Sequence, residues 1–355
     1  MVEEKPFKIL AIDGGGVMGL FSAEVLAALE DQYGGKMSDY FDLICGTSTG
    51  GLIALALSAG VPASEMVKFY QVDGPRIFPY KTFIGRGWGT VKMLFVQAKY
   101  SNEKLRKALE KALSNKKMCD AQSLVCIPSY NLTLGKPKVF KSPLFIKGEN
   151  KYPYDAKLSM VDVGLATSAA PTYFPIHQIG NEHFVDGGVW CNNPAICGLT
   201  EAIRFFFNRE IETDNGTVKY TSIQILSVST ITKPLGWSTG SWKKRSGLLW
   251  MKSNKLIQPF MVGPNFFSDF LLGSLRQSAE HTNLNLSYER ITHDSLSLEQ
   301  MRNIDMDLAT RASLRDISAL GVEVGRHLRS SKKDTVDTFF KTFKSLKQQK
   351  HGQLS

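Results

Sequence analysis

The sequence predicts an α/β fold whose central sheet begins with parallel strands. Residues 1–60 contain a strand, a glycine-rich loop, a helix, a second strand, a tight turn and a second helix. Strand-type apolar runs and helical segments continue to alternate through much of the remaining chain. Because a strand–helix–strand order connects parallel strands by a right-handed crossover, the first two strands are expected to be neighbours.

A glycine-rich loop follows the first strand, which is predicted over residues 7–12. Gly14, Gly16 and Gly19 match the G-x-G-x-x-G pattern of dinucleotide-binding folds, and a helix predicted over 20–33 follows. Consecutive glycines at such a turn also expose backbone N–H groups that can stabilise an oxyanion. The loop alone therefore leaves two interpretations open, a phosphate site and an oxyanion hole.

A second turn carries the pattern Gly46-x-Ser48-x-Gly50. It lies between a strand-type run at 41–45 and an apolar helical run at 51–59, which is the context of a nucleophile elbow. Such a turn holds its serine in a strained conformation at a helix N-terminus, and the glycines leave room for the crossing chain. We therefore predict that Ser48 is a nucleophile, with an ordinary turn serine as the alternative.

A serine nucleophile needs a base, and the sequence favours a carboxylate over a histidine. Only one strand precedes the elbow, which disfavours the histidine-dependent α/β-hydrolase fold. Asp186 ends a strand predicted over 183–186 and precedes Gly187 and Gly188, which let another chain approach closely. We predict a dyad of Ser48 and Asp186, in which burial raises the pKa of the carboxyl group. The alternative for Asp186 is a turn residue that holds the two glycines.

The remaining elements are predicted from apolar periodicity and from capping, glycine and proline signals. Helices are expected at 65–70, 103–113, 161–168, 194–208, 266–280, 314–328 and 336–346, and strands at 123–131, 138–142 and 222–229.

Three segments have more than one interpretation. Residues 74–99 mix aromatic, glycine and basic residues, which is typical of a cap or a loop over a pocket. Residues 231–265 combine tryptophan with lysine and suit a membrane interface, a phosphate-bearing ligand or a loop packed on the domain. The last predicted helix has one apolar and one basic face, so it is either a lipid-surface anchor or a helix docked on the core.

The composition is that of a globular chain of 355 residues, 43% hydrophobic and 21% charged, without an apolar run long enough to span a membrane. The charged N-terminus runs straight into a strand, so no signal peptide is predicted. The five cysteines match no zinc pattern and are expected to be reduced thiols of a cytoplasmic protein. The net charge of +10 favours polyanionic partners such as anionic lipid surfaces, phosphates or nucleic acid, or serves solubility alone.

Four sequence blocks occur in an order that resembles the patatin-like phospholipase family. They are Asp13-Gly14-Gly15-Gly16-x-x-Gly19, Gly46-x-Ser48-x-Gly50, Ala166-Thr167-Ser168-Ala169-Ala170-Pro171-Thr172-Tyr173-Phe174-Pro175 and Asp186-Gly187-Gly188. The resemblance extends over residues 7–230. It implies a three-layer α/β/α sandwich with a mainly parallel central sheet, a dyad of Ser48 and Asp186, and an oxyanion hole formed by Gly14, Gly15 and Gly16.

The resemblance also implies an activity. It implies hydrolysis of fatty acyl esters of membrane phospholipids, of phospholipase A1/A2 or lysophospholipase type, without calcium, another metal or a cofactor. Because the sequence has no internal repeat, low-complexity tract or clear linker, we expect one domain at 1–330, followed by a basic amphipathic C-terminal helix and tail at 331–355. The chain departs from the family pattern at Met18, where many members carry arginine, and at Ser227-Val228-Ser229-Thr230, where Gly-Thr-Gly is usual. The first departure leaves the head-group preference open.

Compact bacterial members of the family are most similar to this chain in size and arrangement. Some of them are antiphage effectors that cyclic oligonucleotides activate and that degrade the host's inner membrane. By this resemblance we expect a phospholipid substrate at the cytoplasmic surface of the inner membrane, a cyclic oligonucleotide activator and a homo-oligomer, but no nucleic acid polymer. The alternatives are a nucleotide- or dinucleotide-binding module and a membrane-docking scaffold with an inactive site.

Overall fold

A mixed sheet forms the centre of the molecule. The computed structural model describes residues 2–79, 98–146, 149–213, 216–233, 257–278, 281, 283–330 and 333–344. Its strands are β1 (Glu3–Ile12), β2 (Leu43–Gly46), β3 (Leu124–Asn131), β4 (Lys136–Lys141), β5 (Phe145–Ile146), β6 (Glu149–Asn150), β7 (His177–Ile179), β8 (Glu182–Asp186), β9 (Glu210–Thr213), β10 (Gly216–Val228) and β11 (Leu286–Ile291). Its helices are α1 (Gly19–Tyr33), α2 (Met37–Tyr40), α3 (Thr49–Ser58), α4 (Ala63–Val72), α5 (Gly74–Ile77), α6 (Glu103–Leu113), α7 (Pro153–Ala156), α8 (Met160–Thr167), α9 (Ala195–Phe205), α10 (Ile257–Gln277), α11 (Leu298–Asn303), α12 (Arg311–Ser330) and α13 (Lys333–Phe340).

The main sheet has the strand order β11-β10-β1-β2-β3-β8-β7, with β4 also paired to β3 and β9 to β10. The central run from β11 to β3 is parallel. The flanking strands β4, β7, β8 and β9 pair antiparallel with their neighbours. The predicted α/β fold with a mainly parallel central sheet is therefore confirmed.

Helices cover both faces of this sheet because the inner strands are apolar on both sides. In β1, Leu10 and Ile12 face a core shared with α1, α3, α6, α8 and α12. The alternating residues Phe7, Ile9 and Ala11 face a second core shared with α9 and α10. Two cores on opposite faces of one sheet give the three-layer α/β/α arrangement that the sequence predicted.

Most predicted elements are present with bounds shifted by a few residues. Nine described elements, most of them short, were missed: β5, β6, β7, β9, β11, α2, α5, α7 and α11. The helix predicted over 266–280 begins earlier, at Ile257, because α10 continues through Gly263 and Pro264. Glycine and proline usually end helices, and the predicted helix began only after these two residues, at 266. The predicted cap or loop at 74–99 falls largely on 80–97, and the aromatic–basic stretch largely on 234–256; both ranges lie outside the described residues.

The C-terminal helix α13 is docked on the core at the amino ends of the parallel strands. Phe339 is fully buried, and the ring of Phe340 stacks on Tyr33 with centroids 4.3 Å apart. The buried ammonium group of Lys8 donates a hydrogen bond of 3.1 Å to the Phe339 carbonyl oxygen. Docking therefore replaces the lipid-anchor interpretation for the described part of this segment.

The predicted end of the last helix, and the predicted division of its side chains into a buried apolar face and a basic face, are wrong in part. The helix ends at Phe340 instead of continuing to 346, and Phe343 is 64% exposed. Lys344 belongs to the predicted basic face, opposite the apolar one, but its amine donates to Ser123 Oγ at 2.8 Å, and burial lowers its pKa to about 8. The division of the chain after residue 330 stays a prediction.

None of the helices in the described ranges combines the length and the hydropathy that a bilayer-crossing helix needs.

Candidate active site

The turn between β2 and α3 has the geometry of a nucleophile elbow. Ser48 has φ 54° and ψ −123°, a left-handed conformation that is strained for a residue with a side chain. A Cβ atom on Gly46 would lie 2.1 Å from the Gly50 carbonyl oxygen, and one on Gly50 would lie 2.2 Å from the Ile12 carbonyl oxygen. Both glycines are therefore required by the close crossing of three backbone segments.

Strand pairing brings Asp186 to this turn. β3 pairs with β2 at Cys126 and with β8 at Ser129, while β4 occupies its other side along the same stretch. The carboxyl ends of β2 and β8 therefore approach each other along one side of β3. As a result, Ser48 Oγ donates a hydrogen bond of 2.5 Å to Asp186 Oδ2, although the two residues are 138 positions apart in sequence.

The carboxyl group of Asp186 is fully buried, and its electrostatics follow from that burial. Desolvation raises its pKa to about 7. Hydrogen bonds from Ser48 and from the Gly188 amide, which donates to Oδ1 at 2.7 Å, lower the pKa and so oppose part of this shift. A Cβ atom on Gly187 would lie 2.3 Å from the Pro128 carbonyl oxygen, so this glycine permits close contact with β3. The group can exchange a proton near neutral pH, as a general base requires.

The glycine loop is beside Ser48, but its three amides are not equivalent. The Gly14 amide donates to the Asn192 carbonyl oxygen at 3.1 Å, which removes it as an oxyanion donor and corrects the predicted set. In the described part of the chain, no acceptor is paired with the amides of Gly15 and Gly16, and both residues line the cavity that contains Ser48. Of the three glycines in the predicted oxyanion hole, only Gly15 and Gly16 thus have amides without an acceptor among the described residues, and the oxyanion hole itself stays a prediction.

A further candidate donor is the amide of Thr49, which the sequence analysis did not consider. This residue follows the nucleophile at the start of α3 and lines the same cavity. Among the described residues, its amide has no hydrogen-bond acceptor. Its position directly after the elbow serine is the signal that could have identified it, since that amide is a common oxyanion donor.

The predicted block at 166–175 supports the elbow from the opposite side. Thr167 Oγ1 accepts a hydrogen bond of 3.0 Å from the Ser48 amide and donates one of 2.6 Å to the Pro128 carbonyl oxygen. Tyr173 and Phe174 line the cavity around Ser48. This block therefore contributes both to the strained turn and to the cavity wall.

A buried ion pair fixes the start of the glycine loop. Arg290 in β11 donates to the two carboxylate oxygens of the fully buried Asp13, at 2.6 and 3.4 Å, and to Ser227 Oγ at 2.6 Å. Burial raises the pKa of Asp13, and the Arg290 guanidinium opposes that shift. No sequence pattern identified this pair, because its members are 277 positions apart.

Two cavities lie on either side of the glycine loop. The first, of about 60 Å³, contains Ser48 and Asp186 and has an apolar wall formed by Leu52, Phe69, Ile77, Phe78, Leu105 and Phe174. The second, of about 320 Å³, is lined by both Met18 and Arg290. Gly15, Tyr173 and Met306 line both cavities, so only a thin wall separates them.

The fold and the site define an α/β protein with a buried serine–carboxylate pair at the carboxyl edge of its parallel strands. The chain belongs to the patatin-like phospholipase family, whose sequence profile matches residues 10–196. It is 31% identical over 347 residues to a "cGAMP-activated phospholipase" of Vibrio cholerae serotype O1, and the aligned region covers 94% of each chain. A protein of the same name from Pseudomonas aeruginosa is 33% identical over 243 residues, covering 68% of this chain and 69% of the relative. The solved structure of human GIVD cytosolic phospholipase A2 is similar with a TM-score of 0.46 and 9% identity, over 95% of this chain and 60% of the other.

The ion pair behind the loop leads to a stability prediction. Arg290→Met leaves the buried Asp13 carboxylate without its partner, so the free energy of unfolding should fall by about 3–5 kcal/mol. Urea unfolding followed by circular dichroism measures this loss. Adding Asp13→Asn should recover part of the loss, because the uncompensated charge is then gone.

Arg315→Met is the matched control, since the Arg315 side chain is 73% exposed and, among the described residues, its one ion pair is with Asp316. Its effect should stay within about 0.5 kcal/mol. Equal effects of the two arginine substitutions would contradict the structural role of the buried pair.

Proposed function

We propose that the chain hydrolyses fatty acyl esters of membrane phospholipids, with Ser48 as nucleophile and Asp186 as base. The observation that carries the proposal is the 2.5 Å hydrogen bond from Ser48 Oγ to Asp186 in a buried cavity with apolar walls. Membership of a phospholipase family supports a lipid substrate and favours a hydrolase over a dinucleotide-binding module. The intact serine–carboxylate pair argues against a scaffold with an inactive site.

In the first step, Asp186 accepts the Ser48 proton while Oγ attacks the ester carbonyl carbon. The carbonyl oxygen becomes an oxyanion, and the amides of Gly15, Gly16 and Thr49 are the donors that stabilise it. Ser48 also precedes the first turn of α3, where the helix dipole favours negative charge.

In the second step, the tetrahedral intermediate expels the lysolipid oxygen. This leaving oxygen accepts the proton that Asp186 took from Ser48. Water then enters, and Asp186 accepts one of its protons while the water oxygen attacks the acyl group on Ser48. Collapse of this second intermediate releases the fatty acid, and the proton returns to Ser48 Oγ. One carboxylate therefore accounts for every proton transfer in the cycle.

The cavity around Ser48 is too small for a long acyl chain. Its volume is about 60 Å³. A cavity of this measure needs ~10–15 Å³ for one water molecule, so it holds only a few waters. We infer that the apolar wall must open before a lipid enters, and that the closed form is latent until a ligand favours the open one.

We propose a cyclic oligonucleotide as that ligand and antiphage defence as the setting. The name of the Vibrio cholerae relative states activation by cGAMP, and that relative matches this chain over 94% of both lengths. The net charge of +10 also suits an anionic activator and an anionic membrane surface. The inner membrane as the place of action and a homo-oligomer remain proposals with it.

The dyad is tested by substitution. Ser48→Ala and Asp186→Asn should each lower the hydrolysis of a soluble fluorogenic acyl ester by about 10²–10⁴-fold, because each removes a group that bonds to or exchanges protons with the substrate. Circular dichroism should show an unchanged fold.

Ser58→Ala is the matched control, since Ser58 is a fully buried serine at the end of the same helix α3 and its hydroxyl donates to the Leu55 carbonyl oxygen of that helix. Its activity should stay near that of the unaltered protein. Full activity of Ser48→Ala would exclude the assignment.

The pH dependence follows from the raised pKa of Asp186, which burial shifts to about 7. Below this pH the carboxyl group is protonated and cannot accept the Ser48 proton, so kcat/KM should rise with pH and level off above it. At pH 6 the rate should be about tenfold below the plateau. Steady-state rates with the soluble ester, at pH values where the fold is intact, measure the profile. A flat profile across this range would contradict a base role for Asp186.

The activator is tested with the same assay. Adding cGAMP should raise the rate by up to about 100-fold if the open form is about 1% populated without it. An equal concentration of AMP and GMP is the control and should leave the rate unchanged. If the ester is hydrolysed but cGAMP does not change the rate, cGAMP is not the activator, while the proposed hydrolase activity stands.

A further inference from the structure

We propose that helix α10 carries a membrane-docking surface, formed by Phe266, Phe267 and Phe270, that inserts into a phospholipid bilayer. We call these three residues the phenylalanine face. The proposal extends the proposed function, because it assigns the side of the molecule from which the phospholipid substrate arrives.

The phenylalanine face is exposed on a helix that is otherwise fixed. The three side chains are 65%, 64% and 71% exposed. Their spacing of i, i+1 and i+4 places them on one side of the helix. On the opposite side Leu272 is fully buried. Asp269, which lies between the two sides, accepts a hydrogen bond of 2.8 Å from the Tyr288 hydroxyl group. The exposed rings are therefore presented by an anchored element.

The same helix forms part of the approach to the active site. Phe266 and Asp269 line the cavity of about 320 Å³, which shares Gly15 with the catalytic cavity. α10 also packs against the turn Gly187–Val189 that follows Asp186. A bilayer that contacts the phenylalanine face would therefore lie beside the cavity next to the glycine loop, so a lipid needs to travel only a short path.

A lipid surface fits this face better than a second copy of the chain. Three rings at about two-thirds exposure present ~300–500 Å² of apolar surface. A standard protein interface buries ~800 Å² on each partner, so the face is small for a stable dimer. Insertion into a bilayer needs no complementary surface, and aromatic side chains are common at the membrane interface.

Electrostatic attraction brings the chain to the membrane from a distance, whereas the phenylalanine face itself binds through its apolar rings. The net charge of +10 attracts the chain to an anionic leaflet. Near the face, the larger cavity is lined by Lys233 and Arg290 and also by Asp269, Asp294 and Asp305, so the local charge is mixed. Binding should therefore depend on the rings once the chain has reached the surface.

The test measures vesicle binding without hydrolysis. All variants carry Ser48→Ala and are sedimented with vesicles of equimolar phosphatidylethanolamine and phosphatidylglycerol, with and without cGAMP. Phe267→Ser combined with Phe270→Ser should weaken binding by more than about tenfold, because two large apolar groups no longer insert. Phe267 and Phe270 do not line either of the two cavities described above.

Phe343→Ser is the matched control. Phe343 is 64% exposed and stacks on Tyr40 with ring centroids 5.1 Å apart. Tyr40 precedes β2 and Ser48 follows it, so Phe343 lies at the edge of the sheet opposite Ser48. Its vesicle binding should stay within about twofold of the parent. Equal binding of the control and the double variant would overturn the proposal. So would a double variant that dissociates an oligomer in sedimentation velocity without weakening vesicle binding.

A second assay separates this proposal from the proposed function. With Ser48 restored, the double variant should hydrolyse the soluble ester at the parent rate but vesicle phospholipid about tenfold more slowly. If the parent hydrolyses no ester, the proposed function fails, while the sedimentation result still decides the docking surface. Equal loss of soluble and vesicle hydrolysis would contradict a surface that acts only on the membrane.

Discussion

The hydrogen bond between Ser48 and Asp186 depends on two strands that reach β3 from opposite directions. β2 ends beside Cys126 and β8 ends beside Ser129, on the same side of β3. The gap between the strand ends is where the serine and the carboxylate meet. The antiparallel β8 is therefore essential to the site, although the sheet is mainly parallel. The meeting point is buried, and this burial raises the pKa of the carboxyl group to the range in which it exchanges protons.

The glycine loop combines a fixed start with two free amides. Asp13 is bound by Arg290, and Gly14 donates to Asn192 and accepts a hydrogen bond from Thr230. These bonds hold the loop against its neighbours before any substrate is present. Donors that are already in place stabilise a developing charge without further reorganisation, which is the main source of oxyanion stabilisation in proteins. The Gly14 amide thus makes one of the bonds that hold the loop, which is why it is not among the candidate oxyanion donors.

Local sequence patterns were sufficient to predict the candidate site residues that lie where a strand ends in a turn or is followed by a helix. Ser48 and Asp186 could be predicted because their flanking glycines mark close backbone contacts. The role of the Gly14 amide and the partner of Asp13 could not, because both depend on chain segments far away in sequence. The start of α10 was missed for a different reason: Gly263 and Pro264 are tolerated within the helix, although local rules expect an end there.

The ion pair between Asp13 and Arg290 has a consequence for the order of events during synthesis. β1 is made first, yet its neighbour β10 ends at Val228 and the arginine follows at 290. On the ribosome, the glycine loop therefore leaves the exit tunnel long before its anchoring residue exists. Because chains emerge from the N-terminus at a limited rate, the catalytic loop is completed late in translation. A nascent chain in which Ser48 has already emerged thus lacks the ion pair that fixes the glycine loop, and this support forms only when most of the chain has been made.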